Sequence, residues 1–433
     1  IRCGVSNVHF FTGVFKVSSS MVIFNYYHMR FEMKHWIIGA QSLVHCCMSE
    51  FEDIRPYHDE EVTDALVKLV VDPEFTGFLA GWLAPRLSWF FPNIVSAAIS
   101  LYLRRATREI DDIAGFQKIV ADYAKKLVRD GSTEFVYEGF DSLERGKAYL
   151  FISNHRDIAG DSMLLDYALY LNNLETVRIA IGDNLVQRDF ATSLMRLNKG
   201  FFIKRSVQGA RKAYAALIQA SEYIKDSIQT GHSIWIAQSE GRSKNGLDLT
   251  DPAIVKMFVL ADRKKPLSEV IRSLNIVPLS ISYEFDPCDT LKATELGKVE
   301  RDGVYGKPPG EDLFSLVRGL HGQKGKVILR LGKPLDGEFE SVGEVAAEID
   351  RQIISNLQLF PINYWAMSRL EDAEYQSLSH KVPRIEKKEL LAFTQRLKSC
   401  PREYRTYWLK MYANPVLNRE RILNSGSDTS GIT

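Results

Sequence analysis

Cysteine is scarce in this 433-residue chain: Cys3, Cys46, Cys47, Cys288 and Cys400 are odd in number, and none stands at the short spacings that metal sites use. That argues against a disulfide framework, offers no metal site, and points to a reducing compartment. A dominant charge is missing too. With 55 Lys and Arg against 54 Asp and Glu the net charge is +1, so any bound anion has to be held by a local cluster rather than by a bulk field that would gather nucleic acid. Internal repeats and long low-complexity linkers are absent. So are the basic start, apolar run and small-residue cleavage site of a signal peptide. The apolar stretch at 87–103 is at the lower limit for a membrane-spanning helix and contains Pro92. What remains is a globular composition, 45% hydrophobic and 25% charged, in a chain longer than one ordinary domain.

The chain divides by composition. Residues 1–47 mix aromatics and serines without helical or strand period, hold three of the five cysteines, and read as a non-native upstream segment ahead of Met48. Residues 48–133 read as a helical N-terminal region. Apolar residues recur at helical spacing over 59–71, a Phe-, Trp- and Leu-rich stretch follows at 75–103, and a charged helix is expected over 109–129. The stretch at 75–103 reads as an interfacial or re-entrant element dipping into one leaflet, with Arg104, Arg105 and Arg108 placed to meet anionic head groups. The alternative is a helix pair buried against the next domain.

Over 134–337, short β-rich runs at 135–137, 149–153, 176–181, 200–203, 233–237, 276–281 and 326–331 alternate with helical patterns. That alternation predicts an α/β domain, a sheet with helices on its faces. Residues 338–423 read as a helical C-terminal region, and 424–433, rich in Ser, Gly and Asp, as a disordered tail.

Within the α/β region the strand at 149–153 runs directly into Asn154 and His155, and the chain then turns helical from Asp161. A histidine there stands where open α/β sheets place their ligands. An acid in the first turn of the following helix can hold its far ring nitrogen, fix the tautomer and stabilise the imidazolium, and both Asp161 and Asp157 are available. Gly200-Phe201-Phe202-Ile203-Lys204-Arg205 reads as a strand ending in two cations suited to a phosphate. The strand at 233–237 leads into Ser239-Glu240-Gly241-Arg242-Ser243-Lys244-Asn245-Gly246, a glycine-bounded basic loop whose backbone N–H groups and arginine can converge on one anion. Taken singly, each block also reads as a structural histidine or as solvated cations. Four of them in order argue for chemistry.

In that order, and followed by Val277-Pro278-Leu279, the blocks resemble the phospholipid and glycerol acyltransferase family, with its N-H-x-x-x-x-D, G-x-x-F-I-x-R and E-G-x-R-S motifs and its V-P strand. The likeness spans 155–279 plus the strand at 327–335, and is nearest to the glycerol-3-phosphate acyltransferase branch. It implies a mixed α/β domain with an N-terminal helical membrane element. It also implies transfer of a fatty acyl group from acyl-CoA or acyl-carrier protein to a hydroxyl of glycerol 3-phosphate or lysophosphatidate, with no metal, no cofactor and no covalent acyl-enzyme.

By that resemblance His155 is the base and Asp161 orients it. Lys204, Arg205, Glu240, Gly241, Arg242 and Ser243 form the phosphate site, and Val277, Pro278 and Leu279 line the acyl passage. The implied place is the cytoplasmic face of a membrane, peripheral or monotopic.

Two departures from the family pattern stand out. Five residues separate His155 from Asp161 where the family has four, which requires a wider loop and leaves Asp157 as a rival acid. Glu240-Gly241-Arg242 also lacks the residue between glycine and arginine, which puts the role of Glu240 in doubt and brings Ser239 into register with the family's glutamate. Other functions fit less well. His155-Arg156-Asp157 copies a kinase catalytic loop, but Ser162 stands where that motif needs asparagine, and Gly241-Arg242-Ser243-Lys244-Asn245 breaks the hydrolase G-x-S-x-G pattern at its last position. A non-catalytic lipid-binding protein on an acyltransferase fold is the remaining alternative.

Overall fold

The structure, a computed structural model, describes residues 51–183, 188–308 and 310–427. The upstream segment read at 1–47 lies outside them, as do residues 428–433 of the expected tail. Of the cysteines within the described residues, Cys288 and Cys400 are free and buried.

Five helices precede or flank the entry to the sheet: α1 (Asp59–Leu69), α2 (Pro73–Leu83), α3 (Pro85–Phe90), α4 (Pro92–Ala106) and α5 (Ile113–Gly131). Pro85 and Pro92 each occupy the first position of a helix, where a missing N–H costs nothing, and so they cut the apolar stretch into three short pieces. No helix among the described residues is long and apolar enough to cross a membrane. The buried-pair alternative describes α2 in part, with Thr76 and Ala80 buried and Phe75 packed on Phe190, but not α3 or α4. Only Val95 of α4 is buried, while Trp89, Phe90, Phe91, Ile94, Leu101 and Tyr102 are exposed.

Seven strands follow: β1 (Ser132–Glu138), β2 (Leu150–Ser153), β3 (Arg178–Gly182), β4 (Gly200–Ile203), β5 (Ile234–Ala237), β6 (Ile276–Tyr283) and β7 (Gly325–Leu331). They form one sheet in the order β1-β7-β6-β2-β5-β3-β4, parallel throughout except where β6 meets β7, so the sheet is mixed. Parallel neighbours require crossovers. These are α6 (Gly160–Leu171), α7 (Asp189–Leu197), α8 (Ala210–Gln229), α9 (Pro252–Val259) and α10 (Leu267–Ser273), while α11 (Asp289–Asp302) and α12 (Glu311–His321) lie between β6 and β7.

Successive strand residues point to opposite faces, which makes three layers. Leu150, Ile152 and Ile236 pack with α8 and α9 on one side, whereas Phe151, Trp235 and Val277 pack on Leu164, Leu165 and Ala168 of α6 on the other.

The C-terminal region is α13 (Val342–Asn356), α14 (Pro361–Met367), α15 (Ala373–Ser377), α16 (Lys387–Ser399) and α17 (Arg405–Ser427). It is less separate than its composition suggests, because Val345, Ile349 and Ile353 of α13 share the core beneath β2 and β6. The disordered tail read from Asn424 onward is corrected at its start, since 424–427 continue α17. Extending an existing helix needs no new nucleus, so a polar end can follow a well-packed body.

Candidate active site

The loop between β2 and α6 is built around one carboxylate. Asp161, fully buried in the first turn of α6, accepts from His155 Nδ1 at 2.8 Å, from the Arg156 and Asp157 amides at 2.6 and 3.0 Å, and from the Tyr283 hydroxyl at 2.7 Å. Burial alone would raise its pKa, but the imidazole and the other donors hold the carboxyl below the ordinary value. An ionised carboxylate can only accept, so the His155 proton sits on Nδ1 and Nε2 keeps its lone pair. Nε2 makes no hydrogen bond with a described residue.

The sixth-residue spacing is absorbed in the loop, where the two amides after His155 fold back onto Asp161. Asp157 takes a different place. Its Oδ1 accepts from Gly160 N at 3.2 Å and Ala159 N at 3.4 Å, its buried Oδ2 has no hydrogen-bond partner among the described residues, and no hydrogen bond links it to the His155 ring. Burial, only partly offset by nearby Lys324, pushes its pKa up. Asp157 caps the start of α6 and Asp161 holds the ring.

The imidazole is fixed on its other sides as well. Asn154 exchanges two bonds with the Ile281 backbone at 2.8 and 2.9 Å, fastening the end of β2 to β6. Trp235 donates to Ser153 Oγ at 2.9 Å and sets its ring edge-on to His155, centroids 5.6 Å apart. Reading the residues missed Trp235 and Tyr283. The strand assigned at 276–281 stops two residues before Tyr283, which continues β6 far enough to reach Asp161.

His155 opens onto a cavity of about 400 Å³. The cavity exists because the sheet forks: β3 and β5 pair only at Arg178 with Ile234 and Ile179 with Trp235, then separate. Ile179, Ile181, Ile203, Met195, Ala237 and Leu316 give it an apolar wall, and Arg205, Ser239, Glu240, Gly241, Arg242 and Lys244 give it a polar mouth. Arg205 lies 3.2 Å from Glu240, and its backbone amide is held by Asp183 at 3.0 Å. An acid cannot itself hold a phosphate, so Glu240 serves as the partner of Arg205. Gly241, at φ +74°, turns the chain sharply enough for Arg242 to face the cavity despite the missing residue. Arg242 forms no hydrogen bond or ion pair among the described residues, and Ser243 N donates to the His155 carbonyl at 2.8 Å, joining the two loops.

Two sequence expectations are corrected by position. Lys204 is outside the cavity lining: just past the end of β4, it pairs with Asp53, while Arg205 lines the cavity. Val277, Pro278 and Leu279 form no passage, because β6 is covered on both faces and paired with β2 and β7. Val277 and Leu279 are core residues facing α6, and the Pro278 carbonyl accepts from Gly332 N at 2.7 Å. Arg156, from the kinase-like triplet, is bound up in structure, its guanidinium 2.5 Å from Asp248 and its carbonyl accepting from Lys292 at 2.8 Å.

The family model named Acyltransferase matches residues 134–282, which contain His155 and every cavity residue of β3, β4 and β5. Over 238 residues the chain is 28% identical to a glycerol-3-phosphate acyltransferase of Xanthomonas axonopodis pv. citri, covering 50% of this chain and 25% of that protein. Over 234 residues it is 27% identical to the enzyme of that name from Pseudomonas syringae pv. tomato, covering 52% and 26%. The chain thus spans about a quarter of the length of the curated relatives it matches. The solved 1-acyl-sn-glycerophosphate acyltransferase of Thermotoga maritima superposes with a TM-score of 0.33 at 17% identity, over 56% of this chain and 78% of that one, too loosely to carry an argument. Residues 134–282 thus match the Acyltransferase family model, and the curated relatives that overlap this region are named glycerol-3-phosphate acyltransferases.

Proposed function

We propose that the chain transfers a fatty acyl group from acyl-CoA or acyl-carrier protein to a hydroxyl of glycerol 3-phosphate or of its 1-acyl derivative, lysophosphatidate. One observation carries this reading: an imidazole whose Nε2 and an arginine whose guanidinium make no hydrogen bond or ion pair among the described residues border the same half-apolar cavity. The acceptor's phosphate sits at Arg242 and Arg205, which places its hydroxyl against His155 Nε2. As the hydroxyl oxygen attacks the thioester carbonyl, its proton passes to Nε2, and Asp161 stabilises the imidazolium. The carbon–sulfur bond then breaks and the leaving thiolate takes that proton, which restores the base. The thioester is already activated, so the reaction needs no cofactor beyond the donor itself. The fork between β3 and β5 receives the apolar part of the donor.

In the same reading the protein works on the cytoplasmic face of a membrane. The exposed aromatics of α3 and α4, followed by exposed Arg104, Arg105 and Arg108, have the composition of an element that lies in the interface rather than spanning it. The test is thioester consumption by the purified chain, with acyl-CoA and acyl-carrier protein as donors and with glycerol 3-phosphate, lysophosphatidate or no acceptor. Consumption that requires one of the two acceptors supports the reading. Binding of these lipids without any consumption would instead favour a non-catalytic lipid-binding protein on this fold.

A further inference from the structure

The loop that carries Arg242 is held by its neighbours residue by residue. Ser243 N is tied to the His155 carbonyl at 2.8 Å, and Lys244 pairs with Glu295 of α11 at 2.6 Å. The remaining two residues rest on α17. Asn245 O accepts from Asn414 Nδ2 at 2.7 Å, and Asn414, buried, is itself fixed by the Tyr375 hydroxyl on its Oδ1 at 2.5 Å.

Gly246 lies still closer. At φ +75°, a Cβ on it would stand 2.2 Å from the Met411 carbonyl oxygen and 3.1 Å from Pro415 Cδ, so loop and helix meet backbone to backbone. The proline explains why that carbonyl is available. Pro415 sits inside α17 and has no N–H, so Met411, four residues earlier, loses its donor within the helix and its oxygen faces Gly246. A proline that would ordinarily weaken a helix here supplies the seat for a loop glycine. α17 also lies wholly outside the residues 134–282 matched by the family model, so the contact belongs to what this chain adds to the domain.

We propose that α17 is a positioning element for the phosphate site: Asn414, with the Pro415-released Met411 carbonyl, fixes residues 245 and 246 and thereby sets where Arg242 stands relative to His155. Its kinetic part rests on the acyl-transfer reading. Arg242 is the member of the loop left free to take an anion, and a guanidinium on an unanchored loop would spend binding energy on ordering the loop. The clamp therefore acts on the acceptor's KM and leaves the bond-making step alone.

The experiment uses the full chain with Asn414→Leu, alone and combined with Arg242→Ala, and measures both kinetics and amide hydrogen exchange. Asn414→Leu removes both the bond to Asn245 O and the bond from Tyr375; loss of the first, the one that reaches the loop, is expected to raise the KM for glycerol 3-phosphate about five-fold, with kcat and the donor's KM unchanged. In the Arg242→Ala background the same substitution adds nothing, because both act through one guanidinium. An equal factor in both backgrounds, or a fall in kcat with both KM values rising, would show general structural damage and overturn the proposal.

Exchange gives a reading independent of turnover. The amides of 241–246 should exchange several-fold faster in Asn414→Leu while the sheet keeps its protection. Unchanged exchange in that loop sinks the clamp even if acyl transfer is confirmed, and faster exchange supports it even if the chain transfers no acyl group. Gly246→Ala approaches from the loop side, and its added methyl should produce the same loop-confined exchange.

Discussion

The loop after β2 and the loop after β5 face each other across one cavity and are built on opposite plans. In the first, the side chain is oriented by bonds behind its working atom: Asp161 takes four donors, and the His155 ring is held at Nδ1 and braced by Trp235. In the second, Arg242 is left without a hydrogen bond or ion pair among the described residues while the backbone behind it is pinned. A general base gains from being oriented before its substrate arrives, and an anion site gains from donors not already used. The difference between the two loops is therefore a division of labour, and it can be broken one side at a time.

The largest effect is expected on the bound side. Asp161→Asn should lower kcat by ~10²–10⁴, because the amide can present its N–H to Nδ1, favour the wrong tautomer and no longer stabilise an imidazolium. The acceptor's KM should scarcely move, and steady-state kinetics separate the two parameters. On the open side the pattern should reverse. Arg242→Ala should raise the acceptor's KM by ~10-fold or more with kcat nearly intact, as expected for a charge-assisted phosphate contact. Asp157→Asn sharpens the contrast within the first loop: this acid caps α6 without touching the ring, so turnover should stay within about three-fold of wild type.

The smallest effect concerns the second acid of α6. Asp166 is buried like Asp161 but is held by the Val177 amide at 2.8 Å, with no ion pair among the described residues, and burial lifts its pKa from 3.8 to about 7. A carboxyl that binds its proton more tightly in the folded chain stabilises it at acid pH, and that contribution is lost as pH rises from the ordinary value through about 7. Asp166→Asn should remove this dependence, so melting curves of variant and wild type should diverge between pH 5 and pH 8, with the variant the flatter. Parallel curves would mean that Asp166 stays ionised in the fold.

Much of this arrangement was legible in the residues. Strand runs bounded by helical patterns located all seven strands, because a period of two and a period near 3.6 differ over very short stretches. The His155–Asp161 pair and the basic loop were marked by their order along the chain. What was not legible depended on direction rather than type. Lys204 and Arg205 are adjacent cations just past the end of β4, but Lys204 is taken by Asp53 and only Arg205 reaches the cavity. Val277-Pro278-Leu279 is apolar whether it lines a passage or fills a core, and its burial became clear only once β7 was found pairing with β6 from the far end of the domain. The fork that makes the cavity is a pairing that stops, which no local pattern encodes. Tyr283 was missed for the same kind of reason, since its role depends on which strand end meets α6.

The central claim is that the His155 imidazole, held by Asp161, takes the acceptor's proton. Its most direct test is glycerol-3-phosphate-dependent release of thiol from acyl-CoA by wild type and by His155→Ala, each with its melting temperature recorded. The account predicts acceptor-dependent release by the wild type and a loss of at least ~10²-fold in the variant at an unchanged melting temperature. A folded His155→Ala protein that still releases thiol at the wild-type rate would contradict it.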